Sequence, residues 1–186
     1  MKYLIVGLGN IGPEYEITRH NIGFLTLDRL ADAQNCQWSS ERLAFKTEFK
    51  FRGRQIHLIK PTTYMNLSGK AMNYWMKELK IPKENTLVVV DEVALPFESL
   101  RMRAKGSAAG HNGLKNIELL TGGSNYPRLR MGIGNDFPKG RQVDFVLGKF
   151  TEDEFAVLPT MMDRAIEMIY SFCTIGIQDT MSKYNN

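Results

Sequence analysis

The chain is poor in the residues that metal centres, disulfide frameworks and membrane spans require. It holds two cysteines, Cys36 and Cys173, and three histidines among 186 residues. No H-x-x-x-H pair or clustered Cys/His set occurs, so the usual zinc-ligand spacings are missing and no metal is expected. Two isolated thiols suit a reducing compartment, and a cytoplasmic location is expected. No apolar run reaches the roughly 18 residues of a membrane helix. The first residues enter a core strand directly, so no leader segment is expected either. Also missing are a G-x-S-x-G elbow, a G-x-x-x-x-G-K-[ST] phosphate loop, internal repeats and low-complexity tracts.

What is present is a chain that is 43% hydrophobic with a net charge of +4, long enough to bury a substantial core. Its charge is unevenly spread. Residues 97–150 carry nine basic and four acidic groups, whereas residues 151–186 carry two basic and six acidic ones. The basic middle holds Arg101, Arg103, Lys105, Lys115, Arg128 and Arg130 near glycine-rich turns, and such a tract suits a polyphosphate backbone or is simply a solvated face.

Strand-like apolar stretches alternate with helical periodicity. Strands are expected at Lys2–Val6, Leu43–Phe49, Gln55–Lys60, Leu87–Glu92, Ser99–Arg103, Leu129–Ile133 and Gln142–Leu147, with Arg52-Gly53 turning a hairpin. Helices are expected at Ile22–Gln34, Lys70–Leu79, Leu114–Leu120 and from Thr151 or Glu152 to about Phe172, the last capped by Glu154, with a short polar tail that frays. This order predicts an α/β fold: a single-domain three-layer sandwich over residues 1–186, with a mixed, twisted central sheet and helices on both faces.

The first strand runs into GLGNIGPEY, in which Gly7, Gly9 and Gly12 complete a G-x-G-x-x-G. A dinucleotide site needs a helix directly after those glycines and an acidic strand end about 20 residues on. Pro13 follows Gly12 instead, no helical stripe appears before Ile22, and Asp28 and Asp32 fall within that helix. The glycines are better read as a tight turn that brings Asn10 and its backbone to a ligand.

Polar residues gather at strand ends and before helices: Asn10, His20, Asn66, Asp91 and Asn112. Asp91 ends a buried strand, where a carboxylate is costly unless paired. An imidazole N–H is a natural partner and would make a base with its orienting acid; a turn cap or an arginine partner is the plainer alternative. His20 is the candidate imidazole, His111 in GHNG is a contender or a backbone-fixing residue, and His57 lies within a strand. With no serine or cysteine nucleophile in a recognisable setting, attack by a histidine-activated water is the simplest chemistry, with asparagine amides holding a carbonyl and a water.

The motifs GLGNIGPEYEITRHNIG, KPTTYMNLSG, VVVDEVALP, GHNGLKNI, LRMGIG and FVLGKF stand in an order and spacing that resemble the bacterial-type peptidyl-tRNA hydrolase family over nearly the whole chain. The resemblance implies a monomeric, cofactor-free α/β enzyme that hydrolyses the ester joining a peptide to the 3′ end of tRNA. On that basis His20 is the catalytic base, Asp91 holds its ring, and Asn10 polarises the carbonyl or positions the 3′ end. Asn66 binds the peptide backbone, Asn112 supports the water or peptide side, Met65 lines the pocket and Tyr15 stacks on the terminal nucleotide. Arg101, Arg103, Lys105, Arg128 and Arg130 are the expected tRNA contacts. Two departures stand out: Ala94 replaces a second acid in DEVALP, and the KGSAAG loop is less rich in glycine than is usual. Two other classes remain open at this point. One is a nicotinamide-dependent oxidoreductase resting on the glycine motif; the other is a noncatalytic RNA-binding protein resting on the basic tract.

Overall fold

KYLIVG and TLVVVDE have the β-branched, apolar runs of strands covered on both faces, and with RQIHLIKP, whose Ile56–Ile59 is buried, they lie side by side at the centre of one sheet. The computed structural model describes residues 1–185. Its strands are β1 (Lys2–Gly7), β2 (Ser39–Glu41), β3 (Ala44–Phe51), β4 (Arg54–Pro61), β5 (Thr86–Glu92), β6 (Leu100–Arg103) and β7 (Arg128–Gly132). They form a seven-stranded sheet in the order β2-β3-β4-β1-β5-β7-β6. The inner pairs β4–β1, β1–β5 and β5–β7 are parallel, while β2–β3, β3–β4 and β6–β7 are antiparallel. Helices α1 (Ile22–Ala33) and α5 (Glu152–Tyr184) pack with Ile5, Leu87, Val89 and Leu129 on one face. Helices α2 (Ser68–Leu79) and α3 (Asn112–Thr121) pack with Leu4, Val6, Val88 and Val90 on the other, so the three expected layers are present.

Two expectations are corrected. Gln142–Leu147 is not a strand: residues Gln142–Val146 form a short helix, α4. Both sides of β7 are already taken by β5 and β6, so the sheet offers it no place there. As a helix, Val143, Val146 and Leu147 share one face at i, i+3 and i+4 spacing. Nor does the chain fray after Phe172. Helical structure continues to Tyr184 through a break at Gly176, whose φ of 89° favours glycine. Across that break the Ser171 and Thr180 hydroxyls bond at 2.7 Å, and the Asn185 side chain pairs with both backbone groups of Met102 on edge strand β6. At the other end of α5, Thr151 and Glu154 form a reciprocal capping box.

His57 shows what burial does to an ionisable group in this core. On β4, between Leu4 and Glu48 of the neighbouring strands, it is 5% exposed and neither ring nitrogen is hydrogen-bonded, the Glu48 carboxylate standing 4.0 Å from Nδ1. Burial pushes its pKa down from 6.5 to about 4; Lys46 and Lys2 act in the same direction and Glu48 opposes them. The unfolded chain therefore takes up a proton that the folded chain refuses. Stability from this group is intact above pH 6.5 and is lost as pH falls towards 4, by on the order of 3 kcal/mol. Denaturant unfolding near neutral pH and near pH 4 checks this: His57→Phe should lose less stability between the two than the unaltered chain.

Candidate active site

Three parallel strands deliver their polar ends to one edge of the sheet, the usual location of a ligand crevice in open α/β sheets. β1 ends before Asn10, β4 ends before the turn Met65–Leu67, and β5 ends in Asp91 and Glu92. The glycines set the separations. A Cβ on Gly7 would lie 2.6 Å from Gly23 O, and one on Gly23 would lie 2.5 Å from Val89 O, so α1 starts pressed against β1 and β5. That contact brings His20, in the turn Arg19–Asn21 just before α1, over the end of β5. A Cβ on Gly69 would similarly meet Asn116 O at 2.4 Å, and this close crossing of α2 and α3 brings Asn66 and Asn112 to the same mouth.

These glycines leave little for a dinucleotide. The amide of Leu8 already donates to Val89 O and that of Asn10 to Asn21 Oδ1, so backbone donors a pyrophosphate would use are occupied. Asn21 also donates from Nδ2 to Asn10 O, which clamps the loop from both sides.

At the centre, Asp91 is buried and accepts from two histidines. His20 Nδ1 lies 2.8 Å from Oδ2 and His111 Nε2 lies 2.9 Å from Oδ1. Burial pushes the Asp91 pKa up, but His20 and His111 outweigh it and hold the carboxyl well below the usual carboxylate range. An ionised carboxylate only accepts, so both facing nitrogens carry protons. For His111 the other nitrogen confirms the tautomer, because Nδ1 accepts from the amides of Gly113 at 3.1 Å and Leu114 at 3.3 Å. For His20 it follows that neutral Nε2 keeps a free lone pair. Burial lowers the His20 pKa, yet the charge and hydrogen bond of Asp91 raise it more, and the net shift is upward from 6.5.

The same three side chains place one possible metal-ligand atom each within 4.8 Å of one another. They fit a cation poorly. To ligate through Nε2, His111 would have to move its proton to Nδ1, into the two amide N–H groups it now accepts from.

Two cavities meet at His20. One, of about 350 Å³, runs between Asp91, Glu92, Ala108–Asn112 and α4. The other, of about 270 Å³, is lined by Asn10, Met65, Asn66, Asn112 and the α4 side chains Val143 and Val146 with Leu147. A larger hollow of about 810 Å³ beside β2 contains none of these groups. In the second cavity Asn10 Oδ1 accepts from the Met65 amide at 2.7 Å, which orients its Nδ2 donors away from that bond. Asn66 and Asn112 are exposed at the rim. Tyr15 is half-buried in the turn Pro13–Tyr15, its carbonyl taking the Thr18 hydroxyl, and lines neither cavity.

The basic residues separate into two kinds. Arg103 and Lys105 are exposed and Arg101 is half-buried. Arg130 binds Glu92, its Nε 2.7 Å from Oε1. Arg128 requires correction as an expected tRNA contact: it is 1% exposed, stacked 3.9 Å over the Tyr126 ring and bonded to the Ser124 carbonyl at 2.6 Å. Its planar guanidinium satisfies several carbonyls of the 107 and 124–126 segments from inside the fold. His111 is a full partner of Asp91, and Asn21, not among the expected site residues, clamps the Asn10 loop. The histidine within GHNG has a visible signal, but its contact with Asp91 spans 20 residues. Ala94, where a second acid is usual, donates its amide to Glu92 Oε2, and in the KGSAAG loop Ala109 takes a left-handed φ of 47°.

Comparison with known proteins shows the family of the chain. The family model described as "Peptidyl-tRNA hydrolase" matches residues 4–186. The peptidyl-tRNA hydrolase of Bacteroides fragilis is 56% identical over 185 residues, spanning 100% of this chain and 99% of its own. That of Cytophaga hutchinsonii is 54% identical, spanning 100% and 98%. The crystal structure of peptidyl-tRNA hydrolase from Acinetobacter baumannii superposes with a TM-score of 0.92 at 33% identity, covering 98% of this chain and 94% of that one.

Proposed function

The chain belongs to the peptidyl-tRNA hydrolase family and is an enzyme that hydrolyses peptidyl-tRNA, and from that premise we propose how its residues divide the reaction. His20 Nε2 takes a proton from water as the water oxygen attacks the ester carbonyl, and Asp91 holds the ring and stabilises the imidazolium. The carbonyl oxygen becomes an oxyanion that the free Nδ2 donors of Asn10 face. Collapse breaks the bond to the 3′-terminal ribose oxygen, which takes the proton back from His20 and leaves as tRNA, while the peptide leaves as a carboxylic acid. The observation that carries this reading is the 2.8 Å bond from His20 Nδ1 to Asp91, which leaves Nε2 free at the junction of two cavities.

Asn66 and Asn112 hold the peptide backbone at the mouth, Met65 forms the apolar floor beneath the esterified residue, and Tyr15 stacks on the terminal nucleotide. No described helix is long and apolar enough to cross a membrane. A substrate of translation supports a cytoplasmic location, and the fact that all the groups named lie within one chain supports a monomer. The direct test is release of tRNA from N-acetylaminoacyl-tRNA; an enzyme that binds this substrate and frees nothing would contradict the reading.

The tRNA backbone is assigned to the exposed cations. Arg103→Ala should weaken tRNA binding and make the slope of log affinity against log salt shallower by about 0.7–0.9, the value for one lost phosphate contact. Titration of tRNA binding at several salt concentrations measures this, and an unchanged slope would remove Arg103 from the interface. Arg128→Ala should instead lower the unfolding midpoint, because it opens a buried, hydrogen-bonded position.

A further inference from the structure

Arg19 precedes His20, yet its side chain turns away from the reaction centre and into the packing beneath α4. Nη1 donates to Phe145 O at 3.1 Å, Nη2 reaches Glu154 Oε1 at 3.1 Å, and the guanidinium lies 4.1 Å over the Phe145 ring. Its backbone amide donates to Gly148 O at 3.0 Å, and Thr18 bridges to Lys149. The side chain is 10% exposed. The Glu154 oxygen it holds is the one that closes the capping box on the Thr151 amide, so one atom joins the start of α5 to the turn that carries His20. Gly148 allows the approach: a Cβ there would lie 3.1 Å from Arg19 Nη1.

The segment held in this way is the wall of the cleft. Val143 and Val146 line both cavities beside His20, and Val143 is 67% exposed, with apolar surface facing the space a substrate enters. On its upstream side α4 follows a loop in which Gly134 and Gly140 take positive φ of 79° and 83°. Val146 packs into the core, and Arg19 with the backbone around Gly148 ties α4 to the turn bearing the base. A buried cation is a poor stabiliser compared with an apolar side chain of similar volume. What methionine cannot do is hold a carbonyl, a carboxylate and a ring face together in a fixed plane.

We propose that Arg19 is a positioning residue for substrate binding: it sets the distance between the α4 wall and His20, so that the esterified residue is gripped between Val143, Val146 and Met65. This rests on the hydrolase reading and extends it to a residue outside the reacting groups. Three variants test it: Arg19→Met; Arg19→Lys, which keeps the charge for Glu154; and Phe145→Leu, which removes the ring while leaving Arg19 intact. Hydrolysis of N-acetylaminoacyl-tRNA gives kcat and KM separately, with amide hydrogen exchange measured on the same proteins.

Arg19→Met should raise KM about tenfold with kcat within about threefold and the midpoint of the kcat pH profile unmoved, the pattern of lost grip rather than lost chemistry. Residues 143–148 should exchange at least about tenfold faster while Leu4–Val6 and Val88–Val90 stay protected. Arg19→Lys should recover part of the KM, and Phe145→Leu should move it in the same direction as Arg19→Met. An unchanged KM, even with a lower unfolding midpoint, would make Arg19 merely structural and overturn the proposal. A loss confined to kcat with a shifted pH midpoint would also overturn it, because Arg19 would then act through His20. The unaltered enzyme serves as the separate control: if it releases no tRNA, the hydrolase reading fails; if it is active and the variants match it, only this inference fails.

Discussion

Replacing His20 with alanine is expected to lower kcat by at least about two orders of magnitude while tRNA affinity stays within a few-fold, because a positioned general base contributes roughly 10²–10⁴ in rate. The free Nε2 is the only unpaired imidazole nitrogen at the centre: His111 uses Nε2 on Asp91 and Nδ1 on two amides, and His57 lies in the core of the sheet. No other described group stands ready to take the proton. Fold loss is a separate concern, since His20→Ala leaves buried Asp91 with one fewer donor. His20→Gln addresses it by offering an amide N–H to Asp91 without a basic lone pair. Both variants should bind tRNA and turn over slowly. In the unaltered enzyme the base must be unprotonated, so kcat/KM should rise with pH through a midpoint above 6.5, in the direction Asp91 shifts His20. Near-normal turnover in His20→Gln would defeat the assignment.

The second large effect is expected from Asp91→Asn, and its cause is the wrong tautomer rather than a lost contact. Asparagine presents one acceptor and one donor where two imidazole N–H groups now ask for two acceptors. One histidine must reverse its proton. His111 resists because reversal would point Nδ1–H at the amides of Gly113 and Leu114. His20 therefore reverses: its Nδ1 accepts from the new amide and its proton moves to Nε2, which faces the substrate and can no longer act as a base. A loss on the order of 10³–10⁴ in kcat is expected, by analogy with the tautomer effect of the same substitution in a Ser-His-Asp triad. Steady-state kinetics on N-acetylaminoacyl-tRNA measures it. The double variant with His20→Ala should be no slower than His20→Ala alone, since both remove one base. Additive losses would mean that Asp91 contributes by a route other than His20.

The layers of the fold were legible where local pattern and environment agree. Leu87–Val90 has no polar residue before the acidic pair because the strand is covered on both faces, and it is an inner strand between β1 and β7. Ile22–Ala33 shows its stripe because one face alone is buried. Gln142–Leu147 has the pattern of a strand because Val143, Phe145 and Leu147 alternate, although residues Gln142–Val146 are helical. That β7 has no free side is a fact of topology, and no local window contains it. The glycine motif was legible for what it is not, through Pro13. Its actual use, a contact of Gly7 and Gly23 that seats α1 on β5, joins distant segments. Asp91 could be picked out because an acid ending an apolar strand needs a partner. Its two-sided bond could not, since His20 and His111 arrive from opposite directions in the sequence. Arg128 failed for the complementary reason: charge suggests surface, and only the packing of Tyr126, Ser124 and Ser107 around it makes a buried guanidinium affordable.

The division of roles depends on two opposite tautomers set by one carboxylate, and nitrogen-15 NMR of the imidazole side chains measures them directly. Above the His20 pKa, the spectrum should show His20 protonated on Nδ1 with a pyridine-type Nε2, and His111 protonated on Nε2 with a pyridine-type Nδ1. In Asp91→Asn the His20 pattern should invert while that of His111 stays. A His20 proton on Nε2 in the unaltered enzyme would leave no base facing the ester and would contradict the account.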